Sequence, residues 1–220
     1  MPRLNLLGGT NEEDVPRRPL PGDRPRRRPC LRRARGSPGP SREPAWRGGD
    51  TQVGGGYDAE GSYSGSWVVV TYGRPILRGR DLFGSGDEYG QQFLRGAPVW
   101  RVGADQSTRL MTETDLMFGG ERLPAGEYSV FAELTEAEWT LIFSNWGAKE
   151  SFREENPDAL WGAYSYTPDR DVLRTSMDVD TIMMSADQLT ISFMDMTQEG
   201  GVFTIWWGDQ VATVPFQVAR

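Results

Sequence analysis

The sequence contains no histidine and a single cysteine, Cys30. Without imidazole there is no histidine general base, no Ser-His-Asp triad and no histidine-ligated metal. A lone cysteine excludes an intrachain disulfide and a thiolate metal cage. The acids could still form a hard-cation site, but no twelve-residue calcium loop is present. We predict no resident metal and no cofactor. The lack of histidine does not forbid catalysis, but it removes the commonest acid-base side chain.

Long apolar runs are missing too. No stretch approaches the length of a membrane span, and residues 1–10 lack the apolar segment of a secretory signal. A phosphate-cradling loop is also absent, because Gly84-Ser85-Gly86 opens no strand-to-helix turn and no Walker lysine follows it. The sequence predicts a chain with no membrane span and, as written, no export signal.

Charge and proline are distributed unevenly along the chain. Residues 1–56 carry twelve of the 24 basic residues, six of the 31 acids and nine of the fifteen prolines, so their net charge is +6 against −13 for the rest. Their only aromatic side chain is Trp46, which leaves too little apolar surface to offset the entropy of ordering. We predict that residues 1–56 are disordered, that 57–66 form a Gly/Ser linker, and that 67–220 fold as one domain.

A basic run at residues 24–35 has the composition of a segment that docks on nucleic acid or on an anionic membrane. The same composition is typical of a solvated tail, and the many prolines favour the tail. We predict no specific nucleic-acid binding by the folded domain.

Residues 67–220 read as short strands separated by turns. Residues 67–72 are β-branched and aromatic, and residues 108–118 and 172–180 alternate with period two. Short helices are expected only near residues 87–94 and 150–155, and residues 161–166 are expected to form another strand. About eight or nine such strands without a long 3.6-residue period predict an all-β domain, an antiparallel β-sandwich of jelly-roll type.

Six short motifs follow one another in a fixed order between residues 67 and 218. They are Tyr72-Gly-Arg-Pro, Gly79-Arg80-x-x-Phe83-Gly84, Val99-Trp100-Arg101-x-Gly103-Ala104, Leu123-Pro124-Ala125-Gly126-x-Tyr128, Trp161-Gly162-Ala163-Tyr164-x-Tyr166 and Asp171-Val172-Leu173-Arg174.

This set resembles the bacterial family called domain of unknown function 2911. The resemblance implies a compact all-β domain with no established activity. It also implies export to the periplasm or cell surface, although this chain shows no signal peptide. Asp105 stands where the family's tryptophan-arginine motif commonly ends in asparagine.

Four arginines lie in apolar or glycine-rich contexts: Arg74, Arg80, Arg101 and Arg174. A guanidinium in such a context needs a partner to offset its desolvation. One interpretation is a pocket in which several of them grip a carboxylate or phosphate. The other, which the general pairing of buried charges favours, is that each is bound to an internal acid and pins a loop.

Aromatic side chains supply a second set of candidates: Tyr72, Trp100, Trp161, Tyr164 and Tyr166. Their faces suit stacking on a sugar ring or a flat ligand. Residues on alternating strands more often fill a core, so core packing is the competing interpretation.

The carboxylates leave two hypotheses for function. Neighbouring pairs such as Asp169 and Asp171 are typical of a solvated surface rather than of the two facing acids of a glycosidase. The first hypothesis is a non-enzymatic binding or interaction module for an anionic or sugar-like ligand or a protein partner, using the arginines and aromatics above together with Asp105. The alternative is a histidine-free hydrolase or isomerase in which carboxylates such as Asp105 are supported by arginine.

Overall fold

Strands make up most of residues 46–220, which are the residues described in the computed structural model. The disorder predicted for residues 1–45 lies outside the described residues. The strands are β1 (Trp46–Tyr57), β2 (Tyr63–Gly73), β3 (Thr108–Thr112), β4 (Leu116–Phe118), β5 (Glu121–Leu123), β6 (Gly126–Leu134), β7 (Glu138–Ser144), β8 (Gly147–Ala148), β9 (Ala159–Leu160), β10 (Asp171–Met194) and β11 (Gly200–Val218).

In residues 46–220 helical structure is confined to short turns. They are a 3-10 turn at Gly86–Glu88, the single-turn helix α1 at Gln91–Leu94 and a 3-10 turn at Pro168–Arg170. The first two agree with the helix predicted near residues 87–94. Within the described residues no helix has the length and apolarity that a bilayer crossing requires.

Nine strands form one antiparallel sheet in the order β1-β2-β3-β6-β7-β10-β11-β4-β5, and β8 and β9 form a separate parallel pair. The first half of β10 pairs with β7, and residues Asp178 to Met194 of β10 pair with β11. The register of the β10–β11 hairpin shifts between Thr181 and Thr190. Such irregularities bend a strand, so the long hairpin curves over the first strands of the sheet.

The curvature brings the two ends of the sheet face to face. The Gly54 N–H in β1 donates to the Gln198 carbonyl in the β10–β11 turn at 2.8 Å. The Tyr72 hydroxyl at the end of β2 accepts from the Ile191 N–H in β10, also at 2.8 Å. The predicted antiparallel sandwich is confirmed. Side chains from both ends of the sheet fill one core, which includes Val53, Val68, Val70, Leu110, Val130, Phe143, Leu173, Phe203, Ile205 and Phe216.

The inward positions follow the predicted alternation. In β10, Leu173 and Met177 are buried while Arg174 and Asp178 are exposed. In β11, Phe203, Ile205 and Trp207 are all buried. Period two therefore identified the buried face of both long strands.

A second, smaller core covers part of the outer face. Phe131 in β6 and Ile142 in β7 point away from the main core and are fully buried. Val99 after α1, Leu160 in β9 and Tyr166 after β9 cover them. This cover fixes the segments that carry several of the candidate site residues.

The start of the fold corrects the predicted boundaries. Most of residues 46–66 lie in the β1–β2 hairpin. The sequence had predicted disorder for residues 46–56 and a linker at 57–66. A β-carbon on Gly55 would lie 1.8 Å from the Ser64 carbonyl oxygen, and one on Gly65 would lie 2.6 Å from that of Val53. The glycines that suggested flexibility thus permit close approach of two paired strands, and Val53 joins the core.

Three further predictions were wrong. Residues 108–118 form two strands, β3 beside β2 and β4 beside β11, because the chain turns after Thr112, whose hydroxyl donates to the Thr114 carbonyl at 2.6 Å. No helix forms at residues 150–155. Residues 161–166 form turns rather than a strand, because Gly162 and Ser165 adopt left-handed φ of 66° and 64°.

Candidate functional site

Five arginines line one cleft, which we call the arginine cleft: Arg74, Arg78, Arg80, Arg95 and Arg101. It consists of two adjoining hollows of about 290 and 410 Å³ that share Pro75, Arg80, Ala104 and Asp105. The segment after β2, the end of α1, the loop before β3 and the turns after β9 contribute its walls. Residues 73–105, which are rich in both arginine and glycine, thus contribute most of this concave surface.

Neutral oxygens hold the guanidinium groups of Arg74, Arg80 and Arg101 in place. Arg74 donates Nε–H to the Leu189 carbonyl at 2.9 Å and Nη2–H to the Thr190 hydroxyl at 3.2 Å. Arg80 donates to the Leu77 and Ile76 carbonyls of its own loop, both at 2.8 Å. These bonds orient the groups without neutralising their charge, and an arginine has five N–H donors, so each retains donors for another partner.

Among residues 46–220, five arginines outside the cleft are ion-paired and none of the cleft arginines is, although exposed Arg153 also has no salt bridge there. Arg109, Arg122, Arg170, Arg174 and Arg220 each form a salt bridge with a carboxylate. Within residues 46–220, by contrast, no salt bridge involves any of the five cleft arginines. The interpretation that each candidate arginine is bound to an internal acid fits Arg174, but not Arg74, Arg80 or Arg101 within this part of the chain.

The cleft is positive on a negative domain. Residues 46–220 carry thirteen basic and twenty-six acidic residues, a net charge of −13. Five of those basic residues line the cleft, and Asp105 is the one carboxylate among the described residues that line it. A concave surface with one sign of charge concentrates ligands of the opposite sign.

Strained backbone is concentrated around the cleft. Non-glycine residues with left-handed φ include Arg78 at 54°, Arg95 at 49° and Asp105 at 64°, all of which line it. Val102, fully buried at φ 50°, lies one residue from Arg101. A β-branched residue in this region is a genuine outlier, and such strain tends to gather where a ligand or a reaction requires a particular geometry.

Aromatic side chains form one wall of the cleft. Trp161 is half-buried and Tyr164 is 41 % exposed. The Arg101 guanidinium lies 5.2 Å from the centre of the Tyr164 ring and donates Nη1–H to the Asp105 carbonyl at 2.7 Å. A β-carbon on Gly162 would lie 2.4 Å from Arg101 Nη1, so the glycine makes room for the guanidinium beside the wall.

Two of the predicted site residues belong to the core instead of the cleft lining. Tyr72 is 3 % exposed and bonds through its hydroxyl to the backbone of Ile191. Trp100 is 1 % exposed and stacks on Trp207 with 6.0 Å between ring centres. For these two, the core interpretation of the aromatic motif fits the structure.

Tyr166 and Arg174 lie together in a separate polar network. The Tyr166 hydroxyl donates to Asp171 Oδ2 at 2.6 Å, and Arg174 bridges Asp171 at 2.9 Å and Glu133 at 2.5 Å. Burial and the hydrogen bond to Asp171 raise the pKa of Tyr166 well above its usual range. Burial alone would lower the pKa of Arg174, but its bonds to Glu133 and Asp171 outweigh that effect and raise it. This network ties β10 to the outer cover.

Replacing Tyr166 with phenylalanine is expected to reduce the free energy of unfolding at pH 7 by about 1.5 kcal/mol, because Asp171 loses a donor. An unfolded tyrosine titrates near pH 10, whereas folded Tyr166 retains its proton, so the unfolded state releases more protons and stability falls as pH rises above about 10. The variant should lose part of that alkaline fall in urea titrations between about pH 9 and 12. The variant should keep the rest of the alkaline fall in stability, because Tyr89 and Tyr128 remain and burial also raises their pKa values. An identical pH profile for both proteins would contradict the assignment.

The sequence did not single out two of the cleft arginines or two of its aromatic side chains. Arg78 and Arg95 each precede a glycine at a left-handed turn, and Phe93 and Trp207 line the floor beside them. The Arg-Gly pairs at 78–79 and 95–96 are the signal that was available. Phe93 carried none, because its position in a single-turn helix leaves no periodicity to interpret.

Acidic residues do not gather into a metal site in the described part of the chain, where no three possible ligands cluster. The groups available to a ligand in the arginine cleft are therefore its arginines, its hydrogen-bonding groups and its aromatic wall.

Comparison with known proteins identifies a family and nothing narrower. A search of curated proteins and a search of solved structures gave no match. One family model, described as "Protein of unknown function (DUF2911)", matches residues 58–216, more than half of the chain. The resemblance found over residues 67–218 of the sequence is thereby confirmed. The chain belongs to the family described as Protein of unknown function (DUF2911).

Proposed function

We propose that this domain is a binding module whose arginine cleft holds a small anionic ligand that also carries a ring. The observation that carries the proposal is that none of the five cleft arginines forms a carboxylate salt bridge among residues 46–220, whereas five arginines outside the cleft do. A carboxylate, sulfate or phosphate group would supply the missing counter-charge and accept paired N–H bonds.

The bonds to neutral carbonyls favour binding in a further way. Arg74 and Arg80 are oriented before any ligand arrives, so less side-chain entropy is lost on binding. The strained backbone at Arg78, Arg95 and Asp105 is consistent with a surface shaped for a partner. Trp161 and Tyr164 offer ring faces beside the cations, which supports a ligand with an apolar or sugar-like face.

Binding is favoured over the hydrolase or isomerase alternative by the count of acids. Asp105 is the one carboxylate among the described lining residues, whereas glycoside hydrolysis uses two facing acids. An enzyme built on Asp105 would need its second group from elsewhere. We therefore assign Asp105 a role in orienting Arg101, through the bond its carbonyl accepts.

The test is calorimetric titration of the full chain at low ionic strength with galacturonate, citrate, sulfate and inorganic phosphate, and with galactose as the neutral control. At least one anion should bind, and galactose should not. Arg80→Gln and Arg95→Gln should each weaken binding about tenfold, the equivalent of about 1.4 kcal/mol. Rising salt should weaken it further, since these groups are exposed.

Arg153→Gln is the matched control. Arg153 is exposed, forms no salt bridge within the described residues and does not line the cleft. Its substitution makes the same change in net charge and should leave anion affinity within twofold. Equal losses in all three variants would reduce the effect to net charge and overturn the cleft as the site. Absence of binding by all four anions would overturn the proposed function itself.

A further inference from the structure

A second hollow, which we call the aromatic groove, adjoins the arginine cleft. It has a volume of about 340 Å³ and contains Trp146, Phe152, Trp161 and Tyr164. Trp161 and Tyr164 line both hollows. The two therefore share a wall, and one extended ligand can touch both.

Two large aromatic rings are exposed in this groove. Phe152 is 73 % exposed and Tyr164 is 41 % exposed, which places two large side chains in water within one hollow. Trp146 is fixed in place: its indole N–H donates to the Thr167 carbonyl at 3.0 Å, and the Arg170 guanidinium covers its ring at 4.0 Å. Exposed aromatic side chains grouped in one hollow mark a ligand surface more often than scattered ones do.

Ring orientation distinguishes between kinds of ligand. The Phe152 and Trp161 rings are 6.4 Å apart and nearly perpendicular, at 78°. A planar base cannot stack face-on against two perpendicular rings at once. A saccharide ring can contact both, because it presents C–H groups on its faces and along its edges. Lys149, Asn156 and Ser165 also line the groove and can hydrogen-bond to hydroxyl groups.

Charge sets a limit on the ligand. The surrounding residues 46–220 have a net charge of −13, which disfavours a long polyphosphate such as RNA that would extend beyond the cleft. A short chain with a few carboxylates fits that distribution better. Its charged unit would face the arginines and its next unit would lie on the groove.

We infer that the ligand is an acidic oligosaccharide, with one uronate-type unit in the arginine cleft and the adjoining sugar ring stacked on Phe152 and Trp161 in the aromatic groove. This rests on the proposed function, because it extends the same site. The covered area grows with each added ring until the groove is filled. Affinity should therefore rise from the monosaccharide to the trisaccharide.

Titration of the full chain with galacturonate, trigalacturonate, its methyl ester and trithymidylate tests this. Trigalacturonate should bind at least tenfold more tightly than galacturonate, and the uncharged methyl ester and trithymidylate should bind more weakly than trigalacturonate. Phe152→Ala should remove the gain of the trisaccharide while leaving galacturonate affinity unchanged. Arg80→Gln should weaken both acids.

Tyr57→Ala is the control for loss of an exposed aromatic, since Tyr57 is 71 % exposed and lies in β1 outside the groove. It should not alter either affinity. Equal affinity of monomer and trimer in the unaltered protein, or an undiminished gain in Phe152→Ala, would overturn the groove as a subsite while leaving the anion site standing. Tighter binding of trithymidylate, or equal binding of the methyl ester, would overturn the acidic saccharide. No binding of any acid here or in the anion panel would refute the proposed function as well.

Discussion

Replacing Gly73 with alanine is expected to destabilise the domain by about 3 kcal/mol. A β-carbon at this position would lie 2.1 Å from the Ala104 carbonyl oxygen and 3.0 Å from its carbonyl carbon. Both are backbone atoms of a loop tied to Gly73 through a 3.2 Å bond from the Ala104 N–H. No side-chain rotation can relieve the clash, so the end of β2 and the loop before β3 have to separate.

Gly56→Ala is the matched control in the same hairpin. Gly56 has ordinary φ and no atom within 4 Å of an added β-carbon, so its substitution should change stability by less than about 0.5 kcal/mol. Urea unfolding should be measured for the unaltered protein, Gly73→Ala and Gly56→Ala. The shift in the urea midpoint is converted to a change in the free energy of unfolding with one common m-value. Because Gly73 and Ala104 both line the arginine cleft, Gly73→Ala should also weaken anion binding. Equal stability of the two variants would show that the loop yields freely.

Trp100→Ala is expected to cost about 3–5 kcal/mol of stability. Its ring packs against Trp139 at 5.6 Å and Phe93 at 5.1 Å, and lies nearly parallel to that of Trp207. Its backbone exchanges two 2.8 Å hydrogen bonds with Ala132 in β6. Truncation leaves a cavity among rings that are too rigid to fill it, which adds to the lost transfer free energy.

Trp67→Ala provides the control, because Trp67 is 41 % exposed and its loss should cost less than about 1 kcal/mol. A domain of this size loses roughly 2–4 °C of melting temperature per kcal/mol, so calorimetry should separate the two variants by about 10 °C. Trp100→Phe should retain the fold and the anion affinity, because Trp100 packs beneath the cleft without lining it. If this variant kept its stability but lost binding, Trp100 would be a ligand contact.

The fold class was accessible from sequence because side-chain alternation reports directly on burial. Leu173 and Met177, and Phe203 and Ile205, occupy the inner face that period two predicts. The β1 strand was missed because Gly54-Gly55-Gly56 has the composition of a linker. Only the partner strand shows why glycine is needed there, since Ser64 leaves no space for a β-carbon on Gly55.

The grouping of the arginine cleft was partly predictable. Arg74, Arg80, Arg101 and Asp105 lie in one glycine-rich stretch, and the structure brings them together with Trp161 and Tyr164. Which aromatic side chain faces water was not predictable. Tyr164 and Tyr166 are two residues apart and would share a strand face, but the left-handed Ser165 between them exposes one and buries the other.

The two longest strands limit how the domain can move. β10 and β11 each continue through the bent region of the sheet and therefore belong to both of its facing halves. Hinge-like opening of those halves would break the ladder that joins the two strands, so the scaffold behaves as a closed frame. Any ligand of the arginine cleft would then enter and leave through shifts of the segments that line it, among them residues 74–82 and 101–105, while the two long strands stay fixed.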